Sequence, residues 1–399
     1  MRILLVHNHY GSSAPSGENN VVGEEKALLE SNGHEIVEFF RYSDDIRSRG
    51  AVGALQGALA TPWNPFMYRQ LRKLVRAMKP DVVHVHNTFP LISPAIFHAL
   101  QEFSIPRILT LHNYRLFCAA AIPMRSGQVC TECLTQESAL PALRHGCYRD
   151  SKVATVPLAF NIQLHRLLGT WTNHVEAFIT LTGFQSELMI SAGLPQHKVY
   201  VKPNFYPGEP GVVPWAQRSD TVVFAGRLGE EKGVDLLLAA WREWGASAPQ
   251  LIIVGDGPQR AIFEEQVRSS GHDNIRFTGR VSSEEAQEWI ANSRLVVMPS
   301  RWFEGFPLVL REALALATPI VVSDLGPLPD LACNGDVGGV FAANDSESLL
   351  QAVRELWTND ELLHEKSKRA ANEFSAKYTQ EKNYLELMSI YDSAKSNLN

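Results

Sequence analysis

The sequence predicts an α/β protein built from two doubly wound, Rossmann-like domains. Short apolar runs alternate along nearly the whole chain with longer segments whose apolar residues recur at helical spacing. A proline-containing stretch at 204–219 interrupts this alternation once. The final helical segment, 380–394, carries an apolar face that needs a surface to cover. We therefore expect a first domain over 1–205, a second over 206–378 facing it across a cleft, and a helix at 379–399 returning to the first domain.

Length and composition restrict the class of protein. The chain has 399 residues, of which 45% are hydrophobic and 20% charged, as in a globular protein with full cores. A formal net charge of −6 argues against a nucleic-acid partner. The first apolar run is too short for a signal peptide, and no run approaches the roughly 18 apolar residues that span a bilayer. We expect a cytoplasmic protein whose five cysteines stay reduced.

The first domain is predicted to present polar side chains at the carboxyl ends of its strands. His84, His86 and Asn87 end one apolar run, and His112 ends the next. Open α/β sheets bind ligands at this edge. The predicted strands are 3–6, 34–40, 81–87, 108–112, 177–181 and 199–201, and the predicted helices are 18–31, 68–78, 92–103 and 185–192.

The predicted helix 68–78 is basic and amphipathic. Its cations are Arg69, Arg72, Lys73, Arg76 and Lys79, and they follow three apolar side chains at 63, 66 and 67. This pattern fits either of two structures. One is a peripheral membrane contact, in which case the protein is membrane-associated, and the other is an ordinary solvated outer helix. The short apolar face favours the solvated helix.

The second domain repeats the alternation of strands and helices. The predicted strands are 221–225, 251–254, 275–277, 295–298 and 320–322, and the helices between them are 234–244, 259–269 and 283–292. Beyond residue 346 the chain is predicted to be helical.

The segment 301–317 carries the pattern that most directly indicates a binding site. A buried strand ends at Pro299, and a helix is expected from Pro307, its first residue, to Ala317. Glu304 lies on the loop and Glu312 lies on the helix. We expect the backbone N–H groups at the start of this helix to bind an anion. The residues of this expected anion site are Gly305, Phe306, Pro307, Leu308 and Val309. The two carboxylates can accept hydrogen bonds from sugar hydroxyls, and the helix end between them can bind phosphate, so the segment suits a nucleotide-sugar. The alternative is that both Glu residues are simply solvated, as most such residues are.

These motifs together resemble the retaining glycosyltransferases of family 4, which have the GT-B fold. The strongest match is the run 304–312 (EGFPLVLRE), with the family's spacing of Glu, seven residues and Glu. The resemblance extends over nearly the whole chain. Its other motifs are 81–86 (DVVHVH), 224–233 (FAGRLGEEKG), 254–258 (VGDGP) and 279–281 (GRV).

The resemblance implies a role for each matching residue of the second domain. Arg227 and Lys232 would neutralise the departing diphosphate, and Glu304 would orient the donor sugar. Glu312 would hold the ribose hydroxyls, and the backbone at Arg280 and Val281 would contact the base. The alternative for the two cations is that they are exposed surface charges.

In the first domain the resemblance implies that His112 lies near the donor sugar and that Gly17 approaches the phosphates. The loop reads Ser16, Gly17, Glu18 where the family has a double glycine, and Asn113 follows His112. His84 and His86 are interpreted as structural polar groups.

The implied activity is transfer of a sugar from a nucleotide-diphosphate sugar to an acceptor hydroxyl with retention. The sequence has no Asp-x-Asp at a strand end, which fits catalysis without a metal cofactor. The implied acceptor is a saccharide or a lipid-linked saccharide in polysaccharide or glycoconjugate synthesis. The alternatives are a nucleotide-sugar epimerase or phosphorylase on the same fold, and a non-catalytic subunit that binds the sugar nucleotide.

Four cysteines fall in one predicted insertion, 115–150, of the first domain. They are Cys118, Cys130, Cys133 and Cys147. The pair 130 and 133 has the close spacing of a structural zinc site, whereas the outer spacings are irregular. Structural zinc and free thiols remain equal alternatives.

Overall fold

The computed structural model describes residues 1–11, 17–271 and 273–398, and these divide into two compact units. Unit 1 contains 1–123, 130–203 and 381–399, and unit 2 contains 124–129 and 204–380. The expected boundary near 205 lies two residues from the observed change of unit. A short segment of the cysteine-containing insertion, 124–129, belongs to unit 2.

The strands and helices follow one another in the order that an α/β chain requires. The strands are β1 Arg2–His9, β2 Glu35–Tyr42, β3 Val82–Asn87, β4 Arg107–Leu111, β5 Met124–Arg125, β6 Gln128–Val129, β7 Ala177–Thr180, β8 Val199–Val201, β9 Thr221–Ala225, β10 Gln250–Val254, β11 Ile275–Gly279, β12 Leu295–Met298, β13 Ile320–Ser323 and β14 Gly338–Phe341. The helices are α1 Gly17–Ser31, α2 Asp44–Arg47, α3 Gly50–Ala60, α4 Pro65–Met78, α5 Ala95–Ala99, α6 Glu132–Thr135, α7 Leu140–His145, α8 Lys152–Leu167, α9 Thr170–Asn173, α10 Gly183–Ser191, α11 Val234–Trp244, α12 Arg260–Ser270, α13 Ser283–Asn292, α14 Leu308–Ala315, α15 Leu328–Leu331, α16 Ser346–Trp357, α17 Asp360–Lys377 and α18 Gln380–Ser396.

Unit 1 is built on a six-stranded parallel sheet with the order β2-β1-β3-β4-β7-β8. Its central strands β3 and β4 are buried on both faces, as expected when helices cover a parallel sheet on both sides. Part of that cover comes from α18, whose Leu387 and Tyr391 are fully buried against Ile3, Ile108 and Ile179. The predicted return of the last helix to the first domain is therefore confirmed.

Unit 2 is built on a second six-stranded parallel sheet with the order β11-β10-β9-β12-β13-β14. Helices α11 and α16 pack against each other beside this sheet and share one apolar core with it. Trp241 is completely buried there, and its indole Nε1 donates a hydrogen bond to the Pro249 carbonyl oxygen at 2.8 Å. Two parallel Rossmann-like sheets with this arrangement of helices confirm the predicted fold class.

Two local predictions were wrong, and two further helices were not predicted. The helix expected at 92–103 is reduced to α5, because Ser93 has a positive φ of 67° and Pro94 restricts the preceding backbone. The glycine-rich α3 and the proline-containing α8 were not predicted as helices. Pro307 is the residue before α14, with an extended ψ of 123°, and not its first helical residue.

Within the described ranges, none of the helices has both the length and the apolar character to cross a membrane.

Candidate functional site

The strand order of unit 2 places β9 and β12 next to each other at its centre. β10 lies on the far side of β9, and β13 lies on the far side of β12, so the chain winds in opposite directions from this pair. In such sheets the loops after the two central strands diverge and leave a crevice at the carboxyl edge. Arg227 and Lys232 follow β9, and Glu304 follows β12. Three of the predicted site residues therefore lie at the switch point of one sheet.

Gly233 brings the loop after β9 into contact with the end of β12. Its φ is 66°, and a Cβ at this position would lie 2.0 Å from the carbonyl oxygen of Pro299. Arg301 N–H also donates a hydrogen bond to the Glu231 carbonyl oxygen at 2.8 Å. The absence of a side chain at 233 therefore lets the segment that carries Lys232 lie directly against the segment that carries Glu304.

Glu304 is a buried carboxylate with two close donors. Lys232 Nζ donates to Oε1 at 2.6 Å, and Ser300 Oγ donates to the same oxygen at 2.7 Å. The ammonium group of Lys232 lies 5.5 Å from the centroid of the Trp302 ring. Arg227 is exposed on the same loop. The site thus holds one cation fixed against a carboxylate and a second cation facing solvent.

The start of α14 offers fewer donors than the sequence suggested. Pro307 has no N–H group. The backbone N–H donors at the start of α14 are therefore those of Leu308 and Val309. No side chain caps this end of the helix. Glu312 is mostly buried one turn further on, and Arg311 Nη2 lies 3.8 Å from its Oε1. An anion at this helix start would bind two backbone N–H groups, with the helix dipole adding to the attraction.

Arg280 and Val281 follow β11, which is the edge strand beside β10. The carbonyl oxygen of Gly279 accepts a hydrogen bond from Gly255 N–H at 3.0 Å, which joins the ends of β10 and β11. Arg280 is exposed and Val281 is half-buried. Both residues therefore lie at the same carboxyl edge as the residues that follow β9 and β12.

In unit 1 the strand-tip histidines form a buried chain of polar contacts. His112 Nε2 lies 3.0 Å from His86 Nδ1, and His86 Nε2 lies 3.2 Å from Glu25 Oε1. His84 Nδ1 lies 3.1 Å from the same carboxylate oxygen. Lys202 Nζ donates to Glu25 Oε2 at 3.3 Å. We call these five residues the histidine network.

Burial sets the charges of the histidine network. It lowers the pKa of His84 to about 4 and the pKa of His112 well below its ordinary value, with neighbouring histidines acting in the same direction. For Glu25, burial acts to raise the pKa, but His84, Lys202 and His86 together hold it well below its usual range. His84 and His112 are therefore neutral around an ionised carboxylate.

Glu25, His84 and His86 are the one group of three ligand-type side chains in the described ranges whose atoms lie within 4.8 Å of one another. The geometry would suit a small metal ion, but the carboxylate already faces the ammonium group of Lys202. The hydroxyl of Tyr391 also lies 2.8 Å from His84 Nδ1. A divalent cation would meet a buried positive charge here, so the ion pair accounts better for the cluster.

An open pocket adjoins this network. His86 and His112 line it on the side of the strand tips. Its other walls combine aromatic and polar side chains, including Thr61, Phe89, Arg115, Leu158, Asn161 and Trp171. Such a mixture suits a ligand with both apolar and hydroxyl-bearing parts.

The comparisons with known proteins decide the family. The family described as Glycosyltransferase Family 4 matches residues 15–207, and the family described as Glycosyl transferases group 1 matches residues 209–373. The chain is a family 4, group 1 glycosyltransferase.

Relatives of this glycosyltransferase include mannosyltransferases. It is 24% identical over 377 residues to the phosphatidyl-myo-inositol mannosyltransferase of Mycolicibacterium smegmatis, covering 91% of this chain and 86% of that protein. It is 28% identical over 212 residues to the O-antigen chain mannosyltransferase C of Escherichia coli. That alignment covers 52% of this chain and about half, 55%, of the relative's length.

Solved structures share the GT-B fold of this glycosyltransferase. The Anabaena protein HepE in complex with UDP matches it with a TM-score of 0.68 at 16% identity, covering 98% of this chain and 100% of that one. The same protein in complex with UDP-glucose matches with a TM-score of 0.66 at 17% identity, covering 98% and 100%. At these identities the likeness shows the fold.

Glu18 lies beside the candidate site residues of unit 1, although its sequence context predicted no role for it. It is buried at the start of α1, and Asn113 Nδ2 donates a hydrogen bond to its Oε2 at 3.3 Å. Burial raises the pKa of Glu18 to about 8, against the opposing effect of Arg115. Its neighbour Gly17 is exposed, and Ser16 lies outside the described residues. An acidic residue directly after a strand-to-helix loop was a usable signal, because this position faces the strand tips.

The four cysteines of the insertion all lie in unit 1, and none of the four forms a disulfide. Burial raises the pKa of Cys118 to about 12 and that of Cys133 to about 11, and the neighbouring thiols add to both effects. No three of the four sulphur atoms lie within 4.8 Å of one another. The structural zinc site stays a prediction.

Proposed function

We propose that this glycosyltransferase transfers a sugar from a nucleotide-diphosphate sugar to an acceptor hydroxyl with retention of configuration and without a catalytic metal. The observation that carries the proposal is the arrangement at the switch point of unit 2. There a buried Glu304, its partner Lys232 and the exposed Arg227 lie at the carboxyl edge that also bears the start of α14. The known binding of UDP and UDP-glucose by the structural relative HepE supports a donor of this class.

The chemistry of each group follows from its charge and position. As the bond from the anomeric carbon to the diphosphate breaks, negative charge develops on the leaving oxygens. Arg227 and Lys232 stabilise that charge, and the N–H groups of Leu308 and Val309 add the dipole of α14. Glu304 accepts hydrogen bonds from sugar hydroxyls, and Glu312 accepts them from the ribose.

The acceptor hydroxyl attacks the same face of the sugar that the diphosphate leaves. Its proton passes to a leaving phosphate oxygen, so the new glycosidic bond forms as the bond to the diphosphate breaks. His112 is neutral, and it can therefore accept or donate a hydrogen bond to a sugar hydroxyl without carrying charge. The acceptor we propose is a saccharide or lipid-linked saccharide.

A thermal-shift panel with UDP, GDP, ADP and dTDP tests the nucleotide site. At a nucleotide concentration about 100 times its Kd, one-site binding stabilises the folded protein by about 2.7 kcal/mol. We expect one nucleotide to raise the Tm of the wild type and of the control Glu288→Ala, whose side chain lies exposed on α13. The same nucleotide should not raise the Tm of Glu312→Ala.

Product analysis then separates the proposed reaction from its alternatives. Release of the nucleotide from a nucleotide-sugar only when an acceptor is present, with retained linkage, supports transfer. A new nucleotide-sugar formed from the donor alone would identify an epimerase. Nucleotide binding without any turnover would identify a non-catalytic binding subunit, and an inverted product would contradict the retaining mechanism.

A further inference from the structure

Two helices of unit 1 expose stripes of large apolar side chains. On α3 the stripe is Val52, Leu55 and Leu59, and each of the three is more than half exposed. On α8 it is Val153, Val156, Phe160 and Leu167, of which Val153 is 83% exposed. The spacings of three, four and seven residues keep each stripe on a single helix face. Large apolar side chains are usually buried in the core. A concentration of exposed ones on two helices therefore requires an explanation.

The two stripes belong to one surface. Helix α3 packs on α8, and the loop between α3 and α4 also contacts α8. His165 Nε2 on α8 lies 2.9 Å from the Pro62 carbonyl oxygen, and the ring of Trp63 stacks on the ring of His165 with planes 5° apart. Trp63 itself is partly exposed. We call α3, Trp63 and the outer face of α8 the apolar surface.

Unpaired cations flank the apolar surface. Helix α4 begins at Pro65, two residues after Trp63, and has no acidic residue. Its exposed face carries Phe66, Arg69 and Lys73, spaced three and seven residues apart. Arg72 and Arg76 pair with Glu102, whereas no ion pair to Arg69 or Lys73 is found among the described residues. The positive face persists although the whole chain has a formal net charge of −6.

The apolar surface is continuous with the pocket at the strand tips. Thr61, which follows α3, and Leu158 and Asn161 on the inner side of α8 line that pocket together with His112. Helix α8 and the end of α3 therefore line the pocket on their inner side, and both helices expose apolar side chains on their outer side.

We propose that the apolar surface docks on an anionic lipid bilayer. The side chains of α3 and α8 enter the boundary between headgroups and acyl chains, and Arg69 and Lys73 bind lipid phosphates. A second copy of the chain is a poorer occupant, because a two-fold contact would place one cationic face against another. The apolar face of the helix at 68–78 is short by itself because most of the exposed apolar residues lie on α3 and α8.

Co-sedimentation of the full chain with two kinds of vesicle tests the proposal. We expect binding to phosphatidylcholine vesicles that contain phosphatidylglycerol, and at least about tenfold weaker binding to pure phosphatidylcholine. The double variant Phe160→Ser with Leu167→Ser should lower the partition coefficient on the anionic vesicles about tenfold or more. The double variant Arg69→Glu with Lys73→Glu should do the same, and its binding should lose its dependence on ionic strength.

Matched controls come from unit 2. Ile262 is 57% exposed, as is Phe160, so Ile262→Ser removes an equally exposed apolar side chain. Arg242→Glu with Lys368→Glu reverses two exposed cations on α11 and α17. Both controls should bind the vesicles as the wild type does, and all variants should keep the nucleotide-induced Tm shift, which is independent of this proposal.

Three outcomes would overturn the proposal. They are no binding to either kind of vesicle, equal losses in the controls, and a concentration-dependent dimer of the wild type that Phe160→Ser with Leu167→Ser converts to a monomer. The last result would identify a second copy as the occupant.

Discussion

Lys232 and Glu304 form an ion pair whose members follow different strands of one sheet. The carboxylate is buried, and its oxygen receives Ser300 Oγ as a second donor. This arrangement fixes the ammonium group before any substrate binds, so little reorganisation is needed when charge develops on a leaving group. At the scale of single residues, the fixed cation is the feature on which the proposed reaction depends most.

Replacing Lys232 by alanine should lower kcat by about 10² to 10³, because a preorganised charge partner of the leaving diphosphate is lost. The measurement is steady-state transfer with the nucleotide-sugar identified by the thermal-shift panel. Lys377→Ala is the matched control, since Lys377 Nζ also lies 2.6 Å from a carboxylate, that of Glu373, but on α17. A loss of equal size in both variants would show that the effect is only structural.

Glu18 should make stability depend on pH in a direction opposite to that of ordinary carboxylates. Its pKa is raised from 4.5 to about 8 in the folded protein, so between these values the folded state holds a proton that the unfolded state has released. Stability then falls as pH rises through this range. Glu18→Gln should remove this contribution to the pH dependence of stability and gain a few kcal/mol over the wild type by pH 8, because each pKa unit corresponds to about 1.4 kcal/mol.

Urea unfolding of the wild type and Glu18→Gln at pH 5 and pH 8 measures this difference. Glu30→Gln is the control, an exposed carboxylate on the same helix. Parallel pH dependence of the wild type and Glu18→Gln would contradict the assignment of a raised pKa to Glu18.

The loop between β9 and α11 shows what a single element contributes to the candidate site. It contains both cations, and its path is fixed by the close approach of Gly233 to Pro299 at the end of β12. A side chain at 233 would separate the two loops and move Lys232 away from Glu304. The geometry of the site therefore depends on a backbone contact as much as on the charged side chains.

Gly233→Ala should destabilise the protein by clearly more than Gly271→Ala. Both glycines have nearly the same left-handed φ, 66° and 67°, so both variants incur a strain of about 1 to 2 kcal/mol. A Cβ at 271 meets nothing within 4 Å, whereas a Cβ at 233 would lie 2.0 Å from the Pro299 carbonyl oxygen. Urea unfolding gives both changes in free energy. Equal losses would show that the loop moves aside without cost.

The elements that the sequence predicted well are those with clear ends. Strand β12 and helices α11 and α13 have the predicted bounds, because glycine, proline or a capping serine marks where the apolar pattern starts or stops. Helix α3 escaped prediction because its sequence, GAVGALQGALA, has three glycines and no polar face. In α8, Pro157 interrupts an otherwise regular apolar period.

The candidate site was only partly predictable, for a related reason. Glu304, Lys232 and Arg227 follow strand ends in a recognisable motif, so their common edge could be inferred from the sequence. The contact of His86 with Glu25 depends on how α1 packs over β1 and β3, and no local pattern encodes that packing. Glu25 therefore resembled any acidic residue on an amphipathic helix until the tertiary structure placed it among histidines.

At the scale of the whole molecule, the buried histidines are concentrated in unit 1. Burial lowers the pKa of His7 to about 3 and those of His84, His98 and His165 to about 4, all from an ordinary value of 6.5. As the pH falls, these histidines therefore become protonated at a higher pH in the unfolded chain than in the folded unit. Unit 1 should lose stability as pH falls below about 6.5, ahead of unit 2, which contains none of these four histidines.

Hydrogen exchange followed by mass spectrometry at pH 7 and pH 5, corrected for the intrinsic pH dependence of exchange, measures this difference. Protection in β3 should decrease at the lower pH before protection in β12 does. His364, on α17 in unit 2, offers a control, since His364→Gln should leave the acid sensitivity of β3 unchanged. Earlier loss of protection in β12 would contradict the prediction.

The last helix has a consequence for how the protein is made. Leu387 and Tyr391 of α18 are buried against strands from the first part of the chain, and Asn383 accepts a hydrogen bond from Lys202 Nζ. During synthesis these strands leave the ribosome long before α18 does, so their apolar faces stay uncovered while nearly 200 further residues are added. A ribosome-stalled chain ending before α18 would therefore expose the surface that chaperones recognise, and the core of unit 1 would be completed only once α18 has emerged.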